Sequence, residues 1–261
     1  YIVDPSPQPG VTSVNINSTD PSVNNTLQNI TLTLVNVTAA TKNLTNWYLN
    51  GQSWTALLMP FENGSNATFT RDYSGTNNSG VNNATVTGPT FQATGGIDGF
   101  GAYSCDGAND WMSIPTSPSL NFSDNVTIVF WMNASSNGAS FERIMQKNGE
   151  GGDEGWGINR EGTNDILEMR FDTSATFNQA PNFVTSVFDN TWHHIALVVI
   201  DNGTAMGYRN GVINNTVSYN PGNGIASNTS QALTICSGPG GGNPSNLSID
   251  DIMIFPNRTL T

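Results

Sequence analysis

The segment that decides the fold class runs from Asn190 to Ile213 and reads NTWHHIALVVIDNGTAMGYRNGVI. It contains an apolar strand-like stretch, His193–Ile200, which the turn signal Asp201-Asn202-Gly203 ends. A shorter stretch, Ala205–Arg209, precedes a second turn signal, Asn210-Gly211. Asn-Gly pairs favour hairpins because both central positions of a type I′ turn need a positive φ. The segment therefore predicts consecutive antiparallel hairpins.

The same texture continues through most of the 261 residues, of which 36% are apolar, with 27 Gly and 13 Pro as turn formers. No segment shows helical periodicity, and Thr68–Gly96 is a polar stretch with the loop Asp72–Asn78. Further strands are predicted at Ala56–Phe61, Tyr103–Cys105, Trp111–Ile114, Val126–Met132, Arg143–Gln146, Gly155–Ile158, Leu167–Phe171, Leu233–Cys236 and Ile249–Phe255. The pattern predicts an all-β chain of two packed antiparallel sheets.

The N-terminal region differs from the rest. Tyr1–Gly10 holds three prolines, which exclude helix and central strand, so we expect an extended arm. Val11–Ser53 alternates apolar and polar residues over about three strands, fewer than a stand-alone sandwich needs. It either packs on the rest of the chain or completes its sheet with a strand from elsewhere. Because the chain begins at Tyr1, without Met, we expect a removed leader or excision from a longer chain.

Charge restricts the classes of partner. The chain has 20 acidic against 8 basic residues, a net charge of −12. Nucleic acids and anionic membranes select basic patches, so neither is an expected partner. No apolar run approaches the roughly 18 residues of a membrane span.

Asn-x-Ser/Thr sequons are the strongest compositional signal. Random order of the same residues gives about seven such sequons. An Asn- and Thr-rich surface with accidental sequons is one explanation, and a secreted, N-glycosylated protein is the preferred one. The sequons are at Asn17, Asn24, Asn29, Asn36, Asn43, Asn63, Asn66, Asn77, Asn83, Asn121, Asn125, Asn133, Asn202, Asn214, Asn228, Asn246 and Asn257.

The two cysteines, Cys105 and Cys236, lie too far apart for a CxxC zinc or redox motif. In an extracellular chain they pair most simply as a disulfide, and two buried free thiols are the alternative.

Trp54–Thr261 resembles the laminin-G-like jelly roll of the concanavalin A-like lectin/glucanase superfamily. The resemblance rests on the order of ALLMPFENGSN, RDYSGTNNSG, YSCDGANDWMSIPTSPSLNFSDNVTIVFWM, NTWHHIALVVIDNGTAMGYRNGVI, LTICSG and LSIDDIMIFPNRTLT. Cys105 and Cys236 replace residues that the family commonly has as bulky apolar and Gly, and their joint appearance favours the disulfide. Residues 11–53 resemble, more faintly, a shortened immunoglobulin-like module.

The resemblance implies a structural calcium ion between an early loop and the last strand, and oxygen ligands suit that ion. The matching residues are Asp72 and Asn77, with either Asp250 or Asp251, since neighbours on a strand face opposite ways. A polar loop with a solvated acid is the alternative. Asp106 and Asp110 are expected to form turns.

Catalysis is not expected. Glycosidase relatives carry E-x-D-x-x-E on one strand face, whereas Glu150, Asp153, Glu154 and Glu161 have another spacing among glycines. His193 and His194 are adjacent, so on a strand they cannot serve one metal or nucleophile. Carbohydrate could stack on the tryptophans Trp111, Trp131, Trp156 and Trp192, although burial in the core explains each as well. Trp47 and Trp54 flank the junction between the two predicted domains.

The sequence therefore predicts a non-catalytic extracellular or cell-surface glycoprotein. The first hypothesis is a structural or adhesive subunit of a filament or layer that assembles with copies of itself, by donating an N-terminal strand to a neighbour. The second is a carbohydrate-binding or cell-adhesion module of a larger secreted protein.

Overall fold

The computed structural model describes part of the chain in detail. The described residues are 13–18, 30–35, 44–50, 52–62, 64–75, 82–122, 124–135, 141–147, 155–162, 164–173, 176–219, 225–226 and 230–260. The chain divides into two compact units, residues 1–45 and residues 46–261. The predicted arm at residues 1–10 lies outside the described residues.

Unit 1 contributes one hairpin, in which β1 (Ser13–Ser18) pairs antiparallel with β2 (Ile30–Val35). Within the described residues this sheet has only these two strands. The immunoglobulin-like module predicted for residues 11–53 is not confirmed.

The division between the units falls before Asn46, whereas the sequence predicted a boundary after Ser53. The Asn46 amide donates to the carbonyls of Tyr73 and Ser74, each at 3.2 Å. Trp54 N–H donates to Trp47 C=O at 2.8 Å. The Trp54–Trp47 bond closes the base of the short hairpin at residues 48–53, and the Asn46 bonds tie that hairpin to the rest of unit 2.

In the part of unit 2 that the structure describes, nearly all regular structure is strand, and short 3-10 turns lie at Pro118–Leu120 and Pro239–Gly241. Its described strands are β3 (Tyr48–Leu49), β4 (Gln52–Ser53), β5 (Leu57–Met59), β6 (Phe69–Thr70), β7 (Ala84–Thr87), β8 (Thr90–Gln92), β9 (Ala102–Asp106), β10 (Trp111–Ile114), β11 (Val126–Ala134), β12 (Arg143–Lys147), β13 (Trp156–Arg160), β14 (Ile166–Thr173), β15 (Thr176–Thr185), β16 (Trp192–Ile200), β17 (Thr204–Arg209), β18 (Val212–Ser218), β19 (Ile225–Ala226), β20 (Leu233–Ile235) and β21 (Asn246–Pro256).

Two antiparallel sheets form the sandwich, as predicted. One has nine strands in the order β15-β14-β13-β12-β20-β10-β7-β6, with β19 paired to β14. The other has eight, in the order β18-β17-β16-β11-β21-β9-β8, with β5 paired to β21. Strand order differs from chain order, so distant segments become neighbours.

The core lies between the sheets and follows from strand alternation. On β11 the side chains of Ile128, Phe130 and Met132 are fully buried, and their neighbours point to the outer face. Burying one such side chain stabilises the fold by about 1.5 to 3 kcal/mol. The side chains on the outer face of β11 take no part in this core.

The hairpin signals of the sequence lie at real turns. Asn210 and Gly211 have φ of 53° and 77°, as a type I′ turn requires. The β16–β17 connection is instead a three-residue loop, because Ile200 pairs with Thr204, and Gly203 there has φ of 91°. The polar stretch 68–96 adds three strands, β6, β7 and β8. The Thr and Gln residues of β7 and β8 hid their alternation.

Candidate functional site

An aromatic cluster lies on the outer face of the eight-stranded sheet. In the β11–β16 ladder Trp131 stands directly opposite His194, and Asn133 stands opposite Trp192. These four side chains share one face, because paired residues of an antiparallel ladder point the same way. All four are partly exposed. The sequence proposed Trp131 and Trp192 among four candidate tryptophans, and the ladder places these two beside each other.

The cluster forms a shallow open depression of about 570 Å³, lined by Trp131, Trp192, His194 and Asn210. The rings of Trp131 and His194 meet edge to face, with centroids 5.1 Å apart. Asn210 closes one side from the β17–β18 turn, where its Oδ1 accepts a hydrogen bond from His194 N–H at 2.9 Å. We call this surface the aromatic depression.

The aromatic depression carries no carboxylate or permanent cation among its lining residues. Burial lowers the pKa of His194 below its usual value of 6.5, because desolvation disfavours the imidazolium. His194 is therefore neutral at pH 7. Flat aromatic faces, a neutral imidazole and an amide suit an uncharged ligand with both apolar and hydrogen-bonding edges.

The other candidate tryptophans have different places. Trp156 is fully buried against Phe122, with ring centroids 5.7 Å apart. Trp111 is partly exposed on the nine-stranded sheet, opposite Thr87. Trp54 stacks under the guanidinium of Arg258, 4.8 Å from its ring centre. Burial in the core thus explains one of the four proposed sugar-stacking residues.

His193 points to the buried side of β16, as adjacent residues on a strand must. Its Nε2 lies 3.0 Å from both Asp189 Oδ1 and Thr191 Oγ1. The hydrogen bonds from Thr191 and His193 hold the pKa of Asp189 below its usual range. This cluster fixes the turn before β16, and His193 and His194 serve different surfaces.

Asp72, a predicted calcium ligand, accepts hydrogen bonds from the protein itself. Its carboxylate is fully buried and accepts four hydrogen bonds, from Leu58 N, Ser74 N, Ser74 Oγ and Asn82 N, at 2.7–3.1 Å. A carboxylate offers about four lone-pair sites, so these donors fill them. Asn77 lies outside the described residues.

Asp250 and Asp251 occupy a β-bulge opposite β11, where the register shifts between Val129 and Trp131. Asp250 is fully buried and accepts from Ile97 N at 3.2 Å and Asp251 N at 2.8 Å. Asp251 is partly exposed with φ of 48°, a conformation that bulges favour. Within the described residues no three His, Cys, Asp or Glu side chains are placed to hold one metal ion. The calcium site stays a prediction.

Three acidic residues on or next to strands of the nine-stranded sheet have side-chain partners that the sequence did not reveal. Glu142 pairs with Arg160 at 3.3 Å, and both side chains are buried. Glu168 pairs with Arg170 on the same strand. Glu161 accepts from the Asn164 amide at 2.9 Å. The acidic stretch at Glu150, Asp153 and Glu154 lies outside the described residues.

The cysteines form a disulfide, Cys105–Cys236, with Cα atoms 6.3 Å apart. Beside it, Asp106 and Asp110 make the predicted turn. Asp110 Oδ2 accepts from Asp106 N, and Asp106 Oδ1 accepts from Ala108 N, each at 2.8 Å. Burial is the largest influence on the Asp110 carboxyl and raises its pKa.

The sequons with described side chains all reach the surface, as attachment of a glycan requires. Four are exposed, namely Asn66, Asn202, Asn246 and Asn257, and five are partly exposed, namely Asn83, Asn121, Asn125, Asn133 and Asn214. The side chains of Asn17, Asn24, Asn29, Asn36, Asn43, Asn63, Asn77 and Asn228 lie outside the described set. Glycosylation itself stays a prediction.

The two-sheet sandwich is a jelly roll. The chain belongs to the concanavalin A-like lectin/glucanases superfamily, whose laminin-G-type model matches residues 106–261. No curated protein matches the chain at a significant level. Among its described residues, no helix is both long and apolar enough to cross a membrane.

Similar solved structures include binding domains of toxins. The binding domain of Paraclostridial Mosquitocidal Protein 1 matches with a TM-score of 0.61 and 20% identity, over 79% of this chain and 49% of that one. The binding domain of botulinum neurotoxin serotype G matches with a TM-score of 0.53 and 18% identity, over 79% and 48%. The binding domain of botulinum neurotoxin DC, in complex with rat synaptotagmin II, matches with a TM-score of 0.54 and 16% identity, over 77% of this chain and 48% of that one. The chain thus spans about half the length of these proteins, and the likeness establishes the fold.

Proposed function

We propose that this chain is a non-catalytic, extracellular binding module that recognises carbohydrate through the aromatic depression. The observation that carries the proposal is the placement of Trp131, Trp192 and His194 on one partly exposed sheet face. Residues on an outer sheet face are not needed for the core, so three aromatic rings there suit a binding role. The family membership and the toxin binding domains of similar fold support a binding module.

The chemistry of the depression favours a sugar ring over a charged ligand. The C–H faces of a pyranose stack on indole rings, while its hydroxyls hydrogen-bond to amide and imidazole groups. Because the depression is shallow and open, most of the ligand stays in water. We expect weak monovalent binding, with a Kd on the order of 1 mM for a single sugar ring.

The absence of catalysis is part of the proposal. Hydrolysis of a glycosidic bond needs two carboxyl groups flanking the bond, and none lines the aromatic depression. The buried Glu142 and Glu168 each pair with an arginine. The disulfide and the surface sequons support an oxidising, extracellular location.

Titration of the unglycosylated protein with mono- and oligosaccharides tests the proposal, followed by NMR or calorimetry. Trp131→Ala and Trp192→Ala should each weaken binding at least tenfold, with unchanged circular dichroism. Trp111→Ala is the matched control, because Trp111 is a partly exposed tryptophan on the other sheet. Binding that survives both variants, or that Trp111→Ala removes, would contradict this assignment.

A structural subunit of a filament or layer is the second candidate. It is favoured by the β1–β2 hairpin, which in the described part of unit 1 forms a sheet of two strands. Two-stranded sheets are marginally stable alone, so an added strand would stabilise this one. Electron microscopy of the natural material tests it. A regular repeat with residues 1–10 in a neighbour's sheet would support strand donation, and monomeric particles would exclude it.

A further inference from the structure

Among the described sequons, Asn133 is the one closest in register to the aromatic depression. It lies directly opposite Trp192 in the β11–β16 ladder and two residues along β11 from Trp131. Cβ atoms of such opposed residues are about 4.5 to 5.5 Å apart. On its other side Asn133 is opposite the small residue Ser248 of β21. A group attached to Asn133 therefore has open space on the side of Ser248 and an aromatic surface on the side of Trp192.

The Asn133 amide is available for attachment. It is partly exposed, and its side chain makes no hydrogen bond to any residue that the structure describes. The strand around Asn133 is fixed, because Ala134 C=O accepts from Asn190 N at 2.9 Å beside the start of β16.

From this juxtaposition we infer that the first sugar of an N-linked glycan on Asn133 packs into the aromatic depression of the same molecule and occupies it. The inference rests on the proposed sugar-binding role of the same surface. The covalent step joins Asn133 Nδ2 to the anomeric carbon of a lipid-diphosphate-linked oligosaccharide. The amide loses one proton and the lipid diphosphate leaves.

Tethering makes this occupancy effective even though the site is weak. A ligand held on a short linker has an effective concentration on the order of millimolar or higher. That concentration reaches the Kd on the order of 1 mM expected for a single ring. A glycan on Asn133 therefore competes with free sugar, and molecules that lack it expose the depression. Occupancy of this one sequon therefore lowers the fraction of molecules in which the binding surface is open.

Two other described sequons, Asn202 and Asn257, do not have this geometry. Asn202 lies in the loop after β16, at the far end of the strand from Trp192. Eight residues separate Trp192 from Ile200, about 26 Å at 3.3 Å per residue. Asn257 follows β21 at the end that pairs with Val126, away from Trp131. These two sites therefore supply matched controls.

The test compares the glycosylated protein with Asn133→Gln, and with Ser135→Ala, which removes the same sequon but keeps Asn133. Thr259→Ala removes the Asn257 sequon and is the control. Mass spectrometry first establishes occupancy of Asn133. The probe is the oligosaccharide released from the protein's own glycans, titrated by NMR.

We expect Asn133→Gln and Ser135→Ala to bind the probe at least about twofold more tightly than the glycosylated protein, because a tethered competitor at a concentration near its Kd raises the apparent Kd about twofold. Thr259→Ala should bind the probe as the glycosylated protein does. Contacts between the Asn133-linked sugar and the Trp192 indole protons should appear as nuclear Overhauser effects. An unoccupied Asn133, or equal binding by all four proteins, would overturn the inference while leaving the proposed function standing.

A failure of the proposed function can also be distinguished from a failure of this inference. If no protein binds the free probe, the proposed function fails. Loss of the Asn133 glycan should still lower Tm in the parent protein and not in a Trp131→Ala/Trp192→Ala background, if the sugar packs on these rings. An equal effect on Tm in both backgrounds, without sugar–indole contacts, would overturn the packing itself.

Discussion

Cys105 and Cys236 join the two sheets of the sandwich covalently. Cys105 lies on β9 of the eight-stranded sheet, and Cys236 follows β20 of the nine-stranded sheet. Both are buried in the core cluster. The bond closes a loop with a sequence separation of 131 residues, so it constrains the unfolded chain over half of its length.

Removing this bond should destabilise the protein strongly. In the chain-entropy model a loop of this length is worth about 4 to 5 kcal/mol. We expect Cys105→Ala/Cys236→Ala to lower the free energy of unfolding by up to that amount, measured in guanidinium chloride. Reductant should destabilise the parent protein and leave the double variant unchanged. Free thiols in the oxidised parent would contradict the pairing.

The buried Arg160–Glu142 pair should be costly to break on one side. Arg160→Met leaves Glu142 buried without its cation, and we expect a loss of about 3 to 5 kcal/mol in unfolding free energy. Adding Glu142→Gln should recover part of the loss, because the amide oxygen still accepts from Asn246 N. The exposed Arg71→Met should change stability by about 0.5 kcal/mol or less. Urea unfolding measures all three.

His194 should make stability depend on pH. Its folded pKa lies below 6.5 because of burial, so the unfolded chain takes up the proton first as pH falls. Stability should therefore decrease as pH falls through the unfolded pKa and level off below the folded pKa. His194→Gln should show a smaller fall in Tm between about pH 7.5 and 5. An identical pH profile in both proteins would contradict this role.

Asp72 should stabilise the fold as a hydrogen-bond acceptor, with or without calcium. Asp72→Asn places an amide donor where four donors now point. We expect the free energy of unfolding to fall by about 1.5 to 3 kcal/mol. The loss in Tm should be equal in calcium and in EDTA. A rise in Tm with calcium that Asp72→Asn abolishes would instead establish the calcium site predicted from the sequence. Asp250→Asn provides the parallel test for β21.

Much of the fold could be predicted because strand alternation and turn residues are local. The apolar stretch of β16 and the Asn210-Gly211 turn carry their own conformational preferences. The strands of the polar stretch 68–96 were missed, since β7 presents threonine outward and keeps only Ala84 and Val86 in the core. The boundary between the two units lies before Asn46 and not after Ser53. Asn46 bonds to Tyr73 and Ser74, and such distant contacts are not encoded in local sequence.

The candidate site was predicted only in part. Trp131 and Trp192 could be proposed as aromatic residues with either a core or a surface role, and the sequence left both open. Which role applies depends on the face of the sheet, and a shift of one residue in register reverses the face. Asp72 was proposed as a cation ligand from its place in a loop, but its hydrogen-bond donors come from three separate positions.

The sequence by itself determined most of the strands, the positions of the turns, the low basic charge and the sequons, because each depends on one residue or its near neighbours. Only the tertiary structure decided that Trp192 lies opposite Asn133, that Glu142 meets Arg160, and that the disulfide links two sheets. Those pairs follow from the strand order and register that bury the core most completely. The aromatic depression and the sugar that we place in it belong to this second category.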